Sequence, residues 1–167
     1  MNLTGAKEQL FNAELRQQLD AWVVKYPADK SQSAVIPCLH ILQAANEGWL
    51  ANPVMDALAV YLAIPAISVY EVATFYTMFD LKPVGKHKIN VCTNISCLLN
   101  GSDEVVAHLE TSLNIKLGET TEDGLYTLRQ VECLGACCGA PMMLLDRDYH
   151  EHLTNDKIDI ILAGLKS

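Results

Sequence analysis

Four cysteines stand in two close pairs whose spacing is typical of a metal site. Cys92 and Cys97 are separated by four residues, and Cys133 and Cys137 by three. Because 35 residues lie between the two pairs, two separate loops must converge to bring all four thiols together. Thiolates are soft ligands that select zinc or iron-sulfur chemistry over magnesium or calcium. The pattern therefore predicts one four-thiolate centre.

The spacing within the pairs favours a 2Fe-2S cluster over zinc. Structural zinc sites usually take C-x2-C knuckles or similarly short spacings, because one turn must point two sulfurs at one ion. Neither pair here is C-x2-C. A 2Fe-2S cluster has two irons that each take two cysteines, and plant-type ferredoxins also open with C-x4-C. A zinc-stabilised structural adaptor is the alternative from a different class.

Other cysteine chemistry fits the sequence less well. A thioredoxin-type dithiol needs C-x-x-C, which no two of the six cysteines form. A disulfide framework needs an oxidising compartment, and the first ten residues lack the pattern of a signal peptide. Cys38 and His40 stand two positions apart on a predicted helix and point away from each other. We therefore interpret them as core and surface, and not as Rieske ligands.

Length and composition bound the rest of the molecule. The 167 residues allow one full-sized domain or two small ones, and half of them are apolar. The longest nearly uncharged apolar stretch, Ala57 to Ile67, is too short to span a bilayer. A net charge of −8 argues against a nucleic acid or an anionic membrane as the main partner. We expect a soluble protein in a reducing compartment, with no direct membrane insertion.

Residues 1–81 have helical periodicity and predict a small helical bundle. A first helix carries an apolar stripe at three- and four-residue steps, and a second runs from about Val35 to Glu47. A third opens with Asn52 as its N-cap, and a fourth with Ser68 and Glu71 in a capping box. On the fourth helix we predict core positions for Phe75 and Phe79. Tyr70 and Tyr76 could lie either in the core or on a docking surface.

Residues 82–167 change to a mixed pattern. The elements are a strand at His87 to Cys92, a helix from Ser102, a strand at Leu125 to about Val131, a hairpin of Met142 to Leu145 with Tyr149 to Leu153, and a helix capped by Asn155. This order is that of a thioredoxin-like fold in which a loop replaces the helix between the second and third strands. The predicted fold class is therefore α+β, a helical bundle followed by a thioredoxin-like α/β domain.

The fold also explains how the cysteine pairs meet. Each pair follows one of the first two strands, and parallel neighbouring strands would open both loops at the same end of the sheet. The site should lie near the surface there.

Gly135 and Gly139 give the second loop backbone freedom to bring N–H groups toward the sulfurs. Pro141 stands before the third strand, where thioredoxin-like folds often have a cis proline. His150 and His152 alternate on a predicted strand and are interpreted as a solvated face.

Three runs of sequence closely resemble one family. They are Val91-Cys92-Thr93-Asn94-Ile95-Ser96-Cys97, Glu132-Cys133-Leu134-Gly135-Ala136-Cys137 and Val69-Tyr70-Glu71-Val72-Ala73-Thr74-Phe75-Tyr76-Thr77-Met78-Phe79. They resemble the thioredoxin-like 2Fe-2S subunit of respiratory complex I, which is the E subunit of bacterial NADH-quinone oxidoreductase. The resemblance covers nearly the whole chain, including the helical half.

The resemblance implies an electron-transfer subunit of that oxidoreductase, with no catalytic residue of its own. Cys92, Cys97, Cys133 and Cys137 would each ligate iron of one 2Fe-2S cluster, and Cys138 would be a packed or spare thiol. The cluster would exchange an electron with FMN of the NADH-binding F subunit, next to the multi-cluster G subunit. FMN and NADH would belong to the partner, in a peripheral arm at the cytoplasmic face of the inner membrane. An NAD-linked hydrogenase, a formate dehydrogenase or a free ferredoxin are further alternatives.

Overall fold

The structure, a computed structural model, describes residues 11–165. The chain divides between Pro83 and Val84 into two compact units. The first unit is helical, and the second combines helices with a four-stranded sheet. The predicted α+β class is confirmed.

Four α-helices build the described part of the first unit, as predicted. They are α1 (Ala13–Val23), α2 (Val35–Ala45), α3 (Asn52–Tyr61) and α4 (Ala66–Phe75), and a 3-10 helix, Ala28–Ala34, precedes α2. Asn12 caps α1, because its side-chain oxygen accepts a hydrogen bond of 2.8 Å from the Leu15 N–H. Pro37 lies in the first turn of α2, where its missing N–H costs no intrahelical bond.

The predicted N-caps of α3 and α4 are wrong. Ala51, and not Asn52, is the N-cap of α3, and Pro65 is that of α4; neither helix has a side-chain cap. The N–H of Ser68 donates to the Pro65 carbonyl at 3.0 Å, so Ser68 lies inside the first turn and cannot cap with Glu71. Proline fixes φ near the helical value, and α4 therefore starts three residues earlier than the capping box indicates.

The core of the first unit is built from the apolar faces of its helices. Phe79 is buried, as predicted, but Phe75 is 77 % exposed and its predicted core position is wrong. The buried face of α4 runs through Val69 and Ala73. Phe75 follows Ala73 by two positions, which places it well off that face at 3.6 residues per turn. Fully buried leucines fill the centre of this core: Leu19, Leu39, Leu42, Leu50 and Leu58.

The second unit follows the predicted order of strands and helices, with one short helix added. Its elements are β1 (His87–Cys92), α5 (Ile95–Leu99), α6 (Ser102–Leu113), β2 (Tyr126–Val131), β3 (Met143–Leu145), β4 (Asp148–His150) and α7 (Asn155–Leu165). The addition is α5. β4 is shorter than the strand predicted for Tyr149 to Leu153, because His152 has a φ of +48°, outside the extended region.

The sheet has the strand order β2-β1-β3-β4. β1 pairs in parallel with β2, with Cys92 opposite Val131, and antiparallel with β3. The predicted parallel neighbours are therefore confirmed, and the two cysteine loops begin at the same end of the sheet. The peptide bond between Ala140 and Pro141, just before β3, is cis. The sheet and the helices α6 and α7 share one core, which includes Ile89, Leu109, Leu128, Met143 and Ile158.

Candidate metal centre

The four predicted ligands lie on the two loops that leave the parallel strands. Cys92 is the last residue of β1, and Cys97 lies in α5. Cys133 follows β2, and Cys137 opens the 3-10 turn Cys137–Gly139. Cys92 and Cys97 are buried beside Met142, whereas Cys133 and Cys137 are exposed. The loop that carries the second pair is therefore open to solvent or to a partner.

Each pair is compact enough to hold one metal atom. The Sγ atoms of Cys133 and Cys137 are 3.9 Å apart. Two thiolates on one tetrahedral metal are about 3.8 Å apart when each metal–sulfur bond is about 2.3 Å. The thiols of Cys92 and Cys97 are hydrogen-bonded to each other. The fold thus brings the two thiols of each pair close together.

The pairwise arrangement fits a 2Fe-2S cluster. Across residues 11–165, no three side chains of His, Cys, Asp or Glu come close enough to hold a single ion together. A structural zinc ion needs four ligands at one point. Each iron of a 2Fe-2S cluster needs only two cysteines, since bridging sulfides complete its coordination. The thiolate donors and their pairwise spacing therefore fit a 2Fe-2S cluster.

Main-chain N–H groups stabilise negative charge on the buried pair. Burial alone would raise the pKa of Cys92, but hydrogen bonds from the N–H groups of Asn94 and Leu134 and from the Cys97 thiol outweigh it and lower that pKa. Burial and the neighbouring Cys92 raise the pKa of Cys97 to about 11, although the Met142 N–H donates to it. Metal ligation requires thiolates, and Cys92 is prepared for that state.

The two glycines of the second loop serve different purposes. Gly135 has a φ of +80°, a conformation that glycine adopts freely, and its N–H donates to Cys133 Sγ at 3.4 Å. This contact is of the kind predicted for the loop. Gly139 has no such backbone requirement. A Cβ there would lie 2.5 Å from Cδ of Glu151, so Gly139 is needed for close packing.

The two remaining cysteines differ sharply. Cys138 is exposed next to Cys137 and is therefore not packed into the core. Cys38 lies fully buried in α2, as predicted for a core residue. Burial, with a smaller effect of the Asp20 carboxylate, raises the pKa of the Cys38 thiol to about 12. Cys38 is therefore an inert apolar side chain at neutral pH.

Three features of the site were missed from the sequence. α5 carries the buried Cys97 and exposes Ile95, Leu98 and Leu99, which are 70 %, 46 % and 80 % exposed. The apolar spacing i, i+3, i+4 around a cysteine was an available signal. The Asn94 side chain donates to the Glu132 carboxylate at 2.9 Å and joins the two loops. The Tyr149 hydroxyl donates to the Leu134 carbonyl at 2.6 Å. These two pairs are distant in sequence and left no local signal.

The histidines and tyrosines singled out earlier have ordinary environments. His150 is half-buried on β4, whereas His152 lies beyond the strand and is exposed. The Tyr70 hydroxyl donates to the Asp56 carboxylate at 3.0 Å, and its ring packs on the core of the first unit. Tyr76 is 39 % exposed and contacts Phe75 edge to face.

The fold and the site define a class of protein. The chain belongs to the thioredoxin-like 2Fe-2S ferredoxin family, whose sequence profile matches residues 19–166. Two relatives make the resemblance more specific. The chain is 48 % identical over 145 residues to the E subunit of NADH-quinone oxidoreductase from Rickettsia conorii, covering 87 % of each chain. It is 42 % identical over 153 residues to the E subunit numbered 2 from Rhizobium meliloti, covering 92 % of this chain and 89 % of the relative.

Solved structures show the same fold. A chain of the NAD+-reducing NiFe hydrogenase superimposes with TM-scores of 0.69 in the air-oxidised state and 0.70 in the H2-reduced state. The sequence identities are 21 % and 20 %, and the match covers 79 % of this chain but only 22 % of the hydrogenase chain. Within residues 11–165, the helices are all too short or too polar to cross a membrane.

Proposed function

We propose that this chain is the electron-transfer E subunit of an NADH-quinone oxidoreductase and carries one 2Fe-2S cluster. The observation that carries the proposal is the convergence of two compact thiol pairs at one end of parallel strands, in a chain 48 % identical to such a subunit. Cys92 and Cys97 would hold one iron, and Cys133 and Cys137 the other. Such a cluster accepts and returns one electron at a time.

The residues around the cysteines would bind the cluster and set its potential. N–H groups of Asn94, Leu134 and Gly135 donate to cysteine sulfurs. Reduction adds a negative charge to the cluster, so these donors stabilise the reduced state more than the oxidised one. The Glu132 carboxylate acts in the opposite direction, because it disfavours negative charge on Cys92.

The proposed function requires FMN and NADH to bind to a partner subunit. NADH releases a hydride, and a flavin must divide that electron pair before a one-electron carrier can accept it. FMN and NADH would bind to the F subunit, here called the flavoprotein, with the multi-cluster G subunit next to it. This assembly would place the chain in the peripheral arm at the cytoplasmic face of the inner membrane.

The exposed face of α5 supports docking of the flavoprotein beside the cluster. Ile95, Leu98 and Leu99 are exposed on the helix that carries Cys97. In the proposed complex, Leu99→Glu should weaken co-purification of the flavoprotein. Ile160→Glu is the matched control, because Ile160 is 73 % exposed on α7. Equal retention of the flavoprotein by both variants would contradict docking at α5.

The cluster itself is tested by metal analysis and spectroscopy. The chain is expressed with iron and sulfide available, and its iron and sulfide contents are assayed. EPR spectra are then recorded before and after reduction with dithionite. We expect two irons and two sulfides per chain and an S = 1/2 EPR signal at low temperature on reduction. One zinc per chain with no such signal would overturn the electron-carrier function and leave the structural adaptor.

A further inference from the structure

Tyr149 reaches the second cysteine loop from β4. Its hydroxyl donates to the main-chain carbonyl of Leu134 at 2.6 Å. The residue is 52 % exposed, so this contact, and not burial in the core, is the specific feature of its placement. Leu134 directly follows Cys133, and the contact lies within the loop that holds the exposed thiol pair.

The carbonyl that Tyr149 binds belongs to the peptide group that serves Cys133. The Leu134 C=O and the Gly135 N–H are two ends of one planar unit, and that N–H donates to Cys133 Sγ at 3.4 Å. A hydrogen bond at the carbonyl end fixes the plane and polarises the N–H at the other end. Gly135 has a φ of +80° and carries no Cβ that would restrict rotation of this plane.

We propose that Tyr149 is a positioning residue that aims the Leu134–Gly135 peptide at the Cys133 sulfur and thereby raises the reduction potential of the cluster. This proposal rests on the proposed function, because it assigns a role in tuning the same site. Tyr149 acts through the peptide and does not ligate iron.

The segment after Tyr149 braces the other end of the same loop. The N–H of His152 donates to the Gly139 carbonyl at 2.6 Å, and the N–H of Leu153 to the Pro141 carbonyl at 3.0 Å. These main-chain contacts survive a change of side chain. Tyr149→Phe therefore removes one hydroxyl while the loop remains attached at its far end.

The experiment is a redox titration of the cluster-loaded full chain, followed by EPR. In Tyr149→Phe we expect the equilibrium constant for reduction to fall about threefold, a shift of about 28 mV to lower potential at 59 mV per tenfold change. The g values should change with it. Tyr126→Phe is the control, because its hydroxyl also approaches a main-chain carbonyl in the same unit, that of Leu162 at 3.4 Å.

An unchanged potential and spectrum in Tyr149→Phe would overturn the proposal, and so would an equal shift in Tyr126→Phe. If the Tyr149→Phe chain loses its cluster, amide hydrogen exchange of the cluster-free full chain tests whether Tyr149 holds the Leu134–Gly135 peptide. We expect faster exchange at Gly135 in Tyr149→Phe than in the unaltered chain, and equal rates would overturn the role. Absence of iron from the unaltered chain would instead overturn the proposed function, and the same exchange measurement would still test Tyr149.

Discussion

Cys137 and Cys138 are adjacent exposed thiols, so exposure does not distinguish the proposed ligand from its neighbour. Cys137 Sγ lies 3.9 Å from Cys133 Sγ, which is the separation expected of two thiolates on one metal. We predict that Cys137→Ser lowers the bound iron or changes the EPR signal, since a weaker oxygen ligand replaces a thiolate. Cys138→Ser should leave both unchanged. Iron assay and EPR of the two variants check this, and the reverse result would exchange the two roles.

Gly135 and Gly139 should respond differently to alanine. Gly135→Ala meets no atom within 4 Å, but its φ of +80° costs a Cβ-bearing residue about 1–2 kcal/mol. Gly139→Ala clashes with Glu151, and overpacking costs about 1–3 kcal/mol. Thermal unfolding should show both losses. Adding Glu151→Gly should recover part of the loss for Gly139→Ala and none for Gly135→Ala, and recovery of both would contradict this distinction.

At the scale of elements, α2 holds the segment that follows α4 through one buried amide. The Gln43 side chain accepts from the Asp80 N–H at 2.7 Å and donates to the Met78 carbonyl at 3.1 Å. Gln43→Leu leaves both main-chain groups unsatisfied, which we expect to cost about 1–3 kcal/mol.

Urea unfolding followed by tryptophan fluorescence measures this cost, because Trp22 and Trp49 both lie in the first unit. Gln17→Leu is the control, since Gln17 is exposed on α1. Equal midpoints for the two variants would mean that the Gln43 contacts contribute no net stability.

The elements that the sequence predicted best are those with a simple period. The strand His87–Cys92 agrees with the structure to the residue, whereas Asn155, predicted as the cap of the last helix, is the first residue of α7. Local cues were less reliable where two competed: Pro65 started α4 ahead of Ser68, and five-residue α5 was too short for a periodic signal. The pairing of the cysteine loops followed from parallel strands, whereas the contacts of Asn94 and Tyr149 depend on tertiary proximity.

At the scale of the whole molecule, each compact unit has its own core. Ile89, Leu109 and Leu128 belong to the core of the second unit, and all four proposed ligands follow Val84. We predict that a fragment of residues 84–167 folds and retains the cluster, since its core and its ligands are complete. Circular dichroism, iron content and EPR check this against the full chain.

The same fragment tests the helical unit as a docking domain. We expect it to bind the flavoprotein more weakly than the full chain at equal cluster content. Equal binding would restrict the helical unit to a stabilising role, and failure of the fragment to fold would contradict the independence of the second unit.

The parallel pairing of β1 with β2 also decides the order of assembly. His87 lies opposite Tyr126, so the ladder forms only after a long intervening segment has closed into a loop. The two cysteine pairs are far apart in the unfolded chain and become neighbours only once that loop is closed. The proposed cluster would crosslink this closed loop, so its binding energy would add to the stability of the folded second unit.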